Sequence, residues 1–177
     1  MIKPIITATN PILRKKSKPV IKIDKKALAL IKDLQDTLYA KKNPEGVGLA
    51  APQIGKNANI FAIKPADKMK VFINPKILSI KKVATKKTKK GHKKVMEGCL
   101  SIPNYYGPLV RPGIVKLKYQ TPNGEIKIED FDKFPAHIIQ HEVDHLHGVL
   151  FIDRLLEQKQ KLYELVDGEW EEVDLII

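Results

Sequence analysis

The segment from Gln140 to Gly148, which reads QHEVDHLHG, constrains the fold more than any other part of the chain. On an α-helix, His141 and His145 lie one turn apart on the same face, and Glu142 stands beside the first of them. Two histidines at this spacing with an adjacent glutamate are typical of a metal site that has a carboxylate base. The alternative is a surface helix whose polar residues share no role.

The residues around this segment favour a buried helix. Asp132 can cap its start, Pro135 fits its first turn, and Gly148 fits the position just past its end. An apolar stripe that would pack against a core is formed by Ile139, Val143 and Leu146. Because buried polar groups need partners, we expect a ligand or hydrogen bonds around the two histidines.

A catalytic metal site needs a third protein ligand and an open position for water. The candidates are Cys99, in a glycine-containing turn, and the downstream acids Asp153 and Glu164. Spacing along the chain does not choose between them. A lone cysteine is more often a buried side chain than a ligand.

Composition predicts one globular domain over residues 1–177, because the chain is 43% hydrophobic and long enough to bury a core. No stretch approaches the roughly 20 apolar residues of a membrane span, and we expect no signal peptide. The single cysteine excludes an intrachain disulfide and indicates a reducing, cytoplasmic location. We expect neither a membrane partner nor a DNA partner.

The net charge of +12 is concentrated in one segment, residues 81–94, which holds eight lysines and no acid. This segment lacks the interleaved aromatic residues that nucleic-acid sites often use, so a solvated loop is favoured over a dedicated RNA site. We nevertheless expect Lys81–Lys94 to give weak, salt-sensitive attraction to the ribosome.

Hydrophobic periodicity predicts an α+β domain. An extended arm over residues 1–23 precedes a helix from Asp24 to about Lys42, with Leu28, Ile31, Leu34 and Leu38 on one face. The predicted strands cover residues 60–63, 71–73, 77–80, 114–119 and 126–128, with a break at Asn74-Pro75 and a further strand from Tyr105. A last helix is predicted from Asp153 to about Leu165. We expect antiparallel or mixed sheets packed around one buried metal-binding helix, with N- and C-terminal helices.

Three segments together resemble the signature motifs of the peptide deformylase family. They are GVGLAAPQ at 46–53, EGCLS at 97–101 and QHEVDHLHG at 140–148, in the order of the family. Three motifs in order are far more specific than the histidine pair alone. The resemblance implies a hydrolase that removes the formyl group from the N-terminal methionine of newly made proteins and releases formate.

The resemblance also implies which residues bind the metal and which take part in catalysis. Cys99, His141 and His145 would bind one divalent metal ion, with water in the fourth place, and Glu142 would be the general base. Ferrous iron is the typical physiological metal of the family, and Zn²⁺, Ni²⁺ or Co²⁺ can replace it. The side-chain amide of Gln53 and the backbone N–H of Leu100 would stabilise the oxyanion, as two further catalytic groups.

Further positions follow from the same resemblance. Val47, Gly48 and Ile138 match positions that line the methionine pocket or bind the peptide backbone. Glu97 and Arg111 match an ion pair that holds the cysteine loop in place. Tyr106 stands where many bacterial members have an arginine, which puts the contacts beyond methionine in question.

Two other interpretations of the sequence predict different behaviour. A zincin-type metallopeptidase would use His141 and His145 with a downstream acid, leave Cys99 structural and cut internal peptide bonds. A basic RNA-binding module with an incidental metal site would bind RNA in a salt-dependent way that survives Glu142→Ala.

Overall fold

The computed structural model describes residues 1–81 and 95–174, and in these ranges the chain forms two antiparallel sheets and three α-helices. The helices are α1 Lys25–Ala40, α2 Lys133–Leu146 and α3 Phe151–Glu157. The strands are β1 Gly48–Ala50, β2 Ile60–Ile63, β3 Lys70–Lys81, β4 Val95–Cys99, β5 Ile102–Leu109, β6 Ile114–Gln120, β7 Ile126–Phe131, β8 Leu162–Val166 and β9 Glu169–Val173. One sheet has the order β1-β2-β3-β6-β7 and the other β4-β5-β8-β9. The predicted α+β class is confirmed.

The five-stranded sheet is covered by a helix on each face. Because side chains alternate along a strand, Phe61 and Ile63 of β2 face α2, whereas Ile60 and Ala62 face α1. All four are buried. The core on the α2 side contains Ala50, Phe72, Val115, Leu117, Tyr119, Ile139, Val143 and Leu146. The predicted apolar stripe of α2 therefore packs as expected.

Helix α1 begins where the sequence predicted, because the Asp24 side chain accepts a hydrogen bond from the backbone N–H of Ala27 at 3.0 Å. Ile31, Leu34 and Leu38 are buried against the sheet. Leu28, in the first turn of the same helix, stays 45% exposed.

The break predicted at Asn74-Pro75 is a bulge within one long strand, β3. The pairing with β6 shifts between Ile73 and Lys76, and Asn74 adopts a positive φ of 49°. Its side chain bonds both backbone groups of Val20 at 2.8 Å. A proline lacks the N–H that a regular ladder uses, so a bulge accommodates it without ending the strand.

The last predicted helix is wrong in extent. Helix α3 ends at Glu157, and Leu162 begins a strand. Strands β8 and β9 form a hairpin whose two-residue loop is Asp167-Gly168, with φ values of 49° and 87°. Asp-Gly is a strong hairpin signal, and it outweighs the leucine spacing from which a helix was predicted. Strand β5 also starts earlier than predicted, at Ile102.

Candidate active site

Helix α2 brings the two predicted histidines together in the interior. His141 and His145 are 8% and 1% exposed, and their ring centroids lie 4.9 Å apart. One turn of helix separates them, so both rings leave α2 from the same face, as the spacing predicts. The remaining faces of the helix are held by the core, which fixes this orientation.

Cys99 reaches the same place from the other sheet. It is the last residue of β4, where the pairing with β5 shifts, and its Sγ lies 3.2 Å from Nε2 of His145. Gly98 has to be small, because a Cβ there would come within 2.6 Å of the Tyr106 ring. Cys99, His141 and His145 form a group whose ligand atoms all lie within 4.8 Å of one another.

This donor set fits a divalent metal ion. Tetrahedral coordination at about 2.0–2.3 Å spaces the ligand atoms roughly 3.3–3.6 Å apart, so only a small contraction of the group is needed. Nδ1 of His141 lies 2.6 Å from Oε1 of Glu97, which leaves Nε2 as the ligand atom. A thiolate with two imidazoles suits borderline metals of the iron-to-zinc series.

The downstream acids do not join this group. Oδ2 of Asp153 accepts the backbone N–H of Leu150 at 2.7 Å and pairs with Arg14. Glu164 accepts a hydrogen bond from Tyr105 and raises the pKa of that phenol. In the part of the chain that the structure describes, only Cys99 completes the histidine pair.

A buried ion pair supports both the cysteine strand and the helix. Nε and Nη2 of Arg111 donate to the two carboxylate oxygens of Glu97, each at 2.7 Å. Burial opposes ionisation of Glu97, but the hydrogen bonds from Arg111 and His141 and the close approach of His137 hold its pKa well below its ordinary value. The ionised carboxylate orients His141, so the pairing that the resemblance implied is present in the structure.

The network continues through residues that the sequence did not predict. Nη1 of Arg111 donates to Asp144 at 2.9 Å, and Arg154 of α3 donates to the same carboxylate at 2.7 and 3.1 Å. His137 lies one turn before His141, with Nε2 2.5 Å from Oε2 of Glu97 but without hydrogen-bond alignment. The i, i+4 spacing of His137 could have revealed it; nothing local marks Arg154.

Glu142 points into the site from α2. Its side chain is buried, and Oε2 has no hydrogen-bond partner among the described residues. Burial raises the pKa of Glu142 to about 7. Gly48 of β1 lies against it, because a Cβ at that position would come within 2.2 Å of Oε1 of Glu142 and 2.7 Å of Ile138.

Gln53 approaches the cysteine from the segment after β1. Its Oε1 accepts the backbone N–H of Ala50 at 2.8 Å, which fixes the amide and directs Nε2 towards Cys99. Nε2 lies 3.5 Å from Sγ of Cys99 and 3.2 Å from Oγ of Ser101. Leu100 follows in the turn between β4 and β5.

A cleft of about 240 Å³ opens onto these groups. The predicted site residues Val47, Gly48, Gln53, Glu97, Leu100, Ile138 and Glu142 line it together with Cys99 and His141. Tyr106 also lines it, as do Phe134 and His137, which the sequence did not predict. The cleft therefore joins an apolar wall to the polar cluster, as a substrate site requires.

The arrangement has counterparts in known proteins. The sequence profile of the polypeptide deformylase family matches residues 2–161. The chain belongs to this family. Peptide deformylase of Pseudothermotoga lettingae is 41% identical over 172 residues, covering 94% of this chain and 93% of that protein. Peptide deformylase 1 of Clostridium acetobutylicum is 45% identical over 151 residues, covering 85% and 92%.

Solved deformylase structures agree with the fold. The crystal structure of the Thermotoga maritima enzyme superimposes with a TM-score of 0.77 at 36% identity, covering 87% of this chain and 97% of that one. A Met-Ala-Ser-bound class I type b deformylase from Acinetobacter baumannii gives 0.76 at 30% identity, covering 87% and 98%.

This deformylase is a hydrolase that removes the N-formyl group from nascent peptides. The zincin-type metallopeptidase and a purely RNA-binding module are therefore not favoured. Family membership and the Cys/His/His group together indicate a bound metal ion. None of the three α-helices in the described ranges has the length and apolar composition needed to span a bilayer.

Proposed function

We propose that Cys99, His141 and His145 hold one divalent metal ion and that Glu142 is the general base of deformylation. The observation that carries this proposal is the convergence of the three ligands with the unpartnered Oε2 of Glu142 in one cleft. A buried carboxylate oxygen without a partner is costly, so its retention beside a metal group points to a proton-handling role.

Ferrous iron is proposed as the native metal, with zinc, nickel or cobalt able to replace it. The thiolate and imidazole donors suit all of these ions. When bound, such an ion acts as a Lewis acid and makes water more acidic. The chain contributes the orientation of the ligands, since Arg111 fixes Glu97 and Glu97 fixes His141.

Glu142 takes one proton from the attacking water and delivers it to the departing amine. The water oxygen forms a bond to the formyl carbon, and the bond between that carbon and the methionine nitrogen breaks. The products are formate and a free amino terminus. The other acids of the described residues that line the cleft have partners: Glu97 is paired with Arg111, and the exposed Glu45 with Lys64 at 3.4 Å.

Gln53 and Leu100 are proposed to stabilise the charge that develops on the formyl oxygen. The Gln53 amide is fixed by Ala50, so its N–H groups are already directed before substrate arrives. Leu100 would contribute its backbone N–H from the turn beside Cys99. Each such donor is worth on the order of 3 kcal/mol in the transition state.

Val47, Gly48 and Ile138 are proposed to bind the methionine. Val47 and Ile138 line the cleft beside Phe134, which gives an apolar wall for a thioether side chain. Gly48 leaves the space through which the substrate backbone can approach β1. The Acinetobacter relative, solved with Met-Ala-Ser, is consistent with this type of ligand.

Formate release from formyl-Met-Ala peptides, by protein loaded anaerobically with iron or with zinc, tests the function. Glu142→Gln should keep its metal and fold but lose more than the ~10²–10⁴ typical of acid–base help, because the water also loses its orientation. Cys99→Ala should contain well under one metal per chain. Full metal content in Cys99→Ala would refute the ligand set, and near-normal turnover of Glu142→Gln would refute the mechanism.

A weak ribosome contact through Lys81–Lys94 is a second proposal. Residues 82–94 lie outside the described residues, but the strand that leads into them is basic. Lys76 of β3 lies directly opposite Lys118 of β6, and neither has an acidic partner in the described ranges. Two like charges on directly opposed residues repel each other, so this surface attracts an external anion. A contact with the ribosome and action on nascent peptides would both place the protein in the cytoplasm.

Sedimentation with ribosomes at low and moderate salt tests this contact. A variant with four of the eight lysines neutralised should sediment less at low salt, and the difference should shrink as salt rises. Its turnover of a short formylated peptide should match that of the parent protein. Equal sedimentation of both proteins would refute the contact.

Residues 1–177 are proposed to form a single catalytic domain. Helix α2 packs on the five-stranded sheet. On the same helix, His141 bonds to Glu97 of β4, and Asp144 accepts a hydrogen bond from Arg111, which precedes β6. Helix α2 therefore contacts both sheets, which supports a single domain.

A further inference from the structure

The β8–β9 hairpin begins just after residue 161, where the match to the family profile ends. It nevertheless extends the sheet that carries Cys99. Strand β8 pairs with β5 through Tyr105 opposite Glu164 and Tyr106 opposite Tyr163. The hairpin is therefore attached directly to a strand of the active site.

Trp170 of this hairpin contacts the wall of the cleft. Its ring meets the ring of Tyr106 edge-on, with centroids 5.1 Å apart and an interplanar angle of 84°. Tyr106 lines the cleft and lies opposite Gly98, the residue before the proposed ligand Cys99. Trp170 remains 49% exposed, so half of a large aromatic side chain faces solvent beside the substrate site.

The strand register places the surrounding residues on the same face. Tyr106, Tyr163 and Glu172 are directly opposed in successive strands, and Trp170 is two residues before Glu172. Glu172 is paired with Lys161 at 2.6 Å, so its charge is compensated. The face that continues from the cleft therefore carries three aromatic side chains, and the acidic residue of β9 on this face is paired.

We propose that Trp170, supported by Tyr106, determines specificity by binding an apolar side chain of the nascent peptide downstream of the formylated methionine. This inference rests on the proposed function of the cleft. An aromatic ring that is half exposed and held by a neighbouring ring can bind such a side chain with little loss of entropy. The occupant is the substrate itself, because the surface is continuous with the cleft that receives it.

The distance from Cys99 to Trp170 along the sheet indicates which residue of the peptide would contact Trp170. Adjacent strands lie about 4.8 Å apart, and the path from Cys99 to the ring of Trp170 crosses Gly98, Tyr106 and one ring contact, roughly 10–15 Å in all. An extended peptide covers about 3.3 Å per residue. The side chain that reaches Trp170 therefore belongs to about the third or fourth residue after methionine.

Trp170 is the only tryptophan of the chain, so its fluorescence reports this contact without any catalysis. The metal-loaded protein is titrated with deformylated peptides that begin with Met-Ala, and calorimetry records binding in parallel. A hexapeptide with leucine at the fourth and fifth positions should shift the emission to shorter wavelength, and Met-Ala should not. A hexapeptide that binds by calorimetry without changing the emission overturns the proposal.

Kinetics give a second, independent readout. The ratio of kcat/KM for the formylated hexapeptide to that for formyl-Met-Ala should fall roughly two- to tenfold in Trp170→Ala, the range that an aromatic contact supports. Trp170→Phe should restore most of the ratio. Ile126→Ala, which removes a 63% exposed side chain from the edge of the other sheet, should leave the ratio unchanged. An unchanged ratio in Trp170→Ala overturns the proposal, whereas failure of all variants and the parent to release formate refutes the proposed function instead.

Discussion

Gly48 is a glycine because two side chains of α2 occupy the space beside its Cα. An added Cβ would come within 2.2 Å of Oε1 of Glu142 and 2.7 Å of Ile138. The residue thus sets the position of the proposed base without supplying any functional group. A constraint of this kind is visible only when β1 and α2 are seen together.

Gly48→Ala should lower kcat by about 10², because displacing a reacting carboxylate by an ångström has effects of this size. The metal content should not change, since Gly48 touches no ligand. Gly107→Ala is the matched control: its Cβ would come within 2.3 Å of Leu155, which does not line the cleft. We expect the control to lower thermal stability and to keep kcat, and equal loss of kcat in both variants would contradict this role of Gly48.

Gln53→Leu should lower kcat by roughly 10²–10³ with little change in KM, the pattern of a contact made mainly in the transition state. Steady-state kinetics on a formylated dipeptide measure both parameters. The variant should also lose about 1–3 kcal/mol of stability, because the buried N–H of Ala50 loses its acceptor. A change confined to KM would mean that Gln53 only positions the substrate.

At the scale of single elements, the Glu97–Arg111 pair joins the cysteine strand to the histidine helix. The two side chains are 4% and 7% exposed, so removing one partner leaves a buried charge. Arg111→Met should lower the free energy of unfolding by roughly 3–5 kcal/mol in urea titrations. Lys116→Met, which breaks a half-exposed pair with Asp130 at 3.7 Å, should cost no more than about 1 kcal/mol. Similar losses in both variants would argue against the buried network.

The elements differ in how well the sequence predicts them. Helix α2 follows from local spacing, because its histidines, apolar stripe and ends all lie within one short segment. The third ligand does not follow from local spacing, because Cys99 lies in the other sheet. Spacing along the chain did not distinguish it from Asp153 and Glu164. Only the resemblance to a family separated these candidates.

The interactions missed by the sequence analysis are those between distant segments. Arg154 reaches Asp144 from α3, and Trp170 reaches Tyr106 from the last hairpin. Leucine spacing suggested a helix through Leu162, but the Asp167-Gly168 turn and pairing with β5 favour strands there. Tertiary pairing decided the conformation of this segment.

For the whole molecule, metal binding and folding should be linked, because the three ligands come from separate parts of the chain and converge only in the folded state. Removing the metal with a chelator should lower Tm by roughly 5–15 °C, as expected for loss of a ligand present at about a thousand times its Kd. Differential scanning calorimetry measures the shift. Cys99→Ala should show no shift with chelator, and an unchanged Tm in the parent protein would contradict the linkage.

Helix α2 carries both proposed histidine ligands and the proposed base, and its residues from Ile138 to Leu146 are all buried. Local unfolding of this helix would expose the core on one side of the five-stranded sheet, so its free energy should approach that of global unfolding. Its backbone amides should therefore exchange with deuterium only when the entire protein unfolds. The catalytic centre would then survive as long as the fold does, and heat would abolish activity and structure in a single transition.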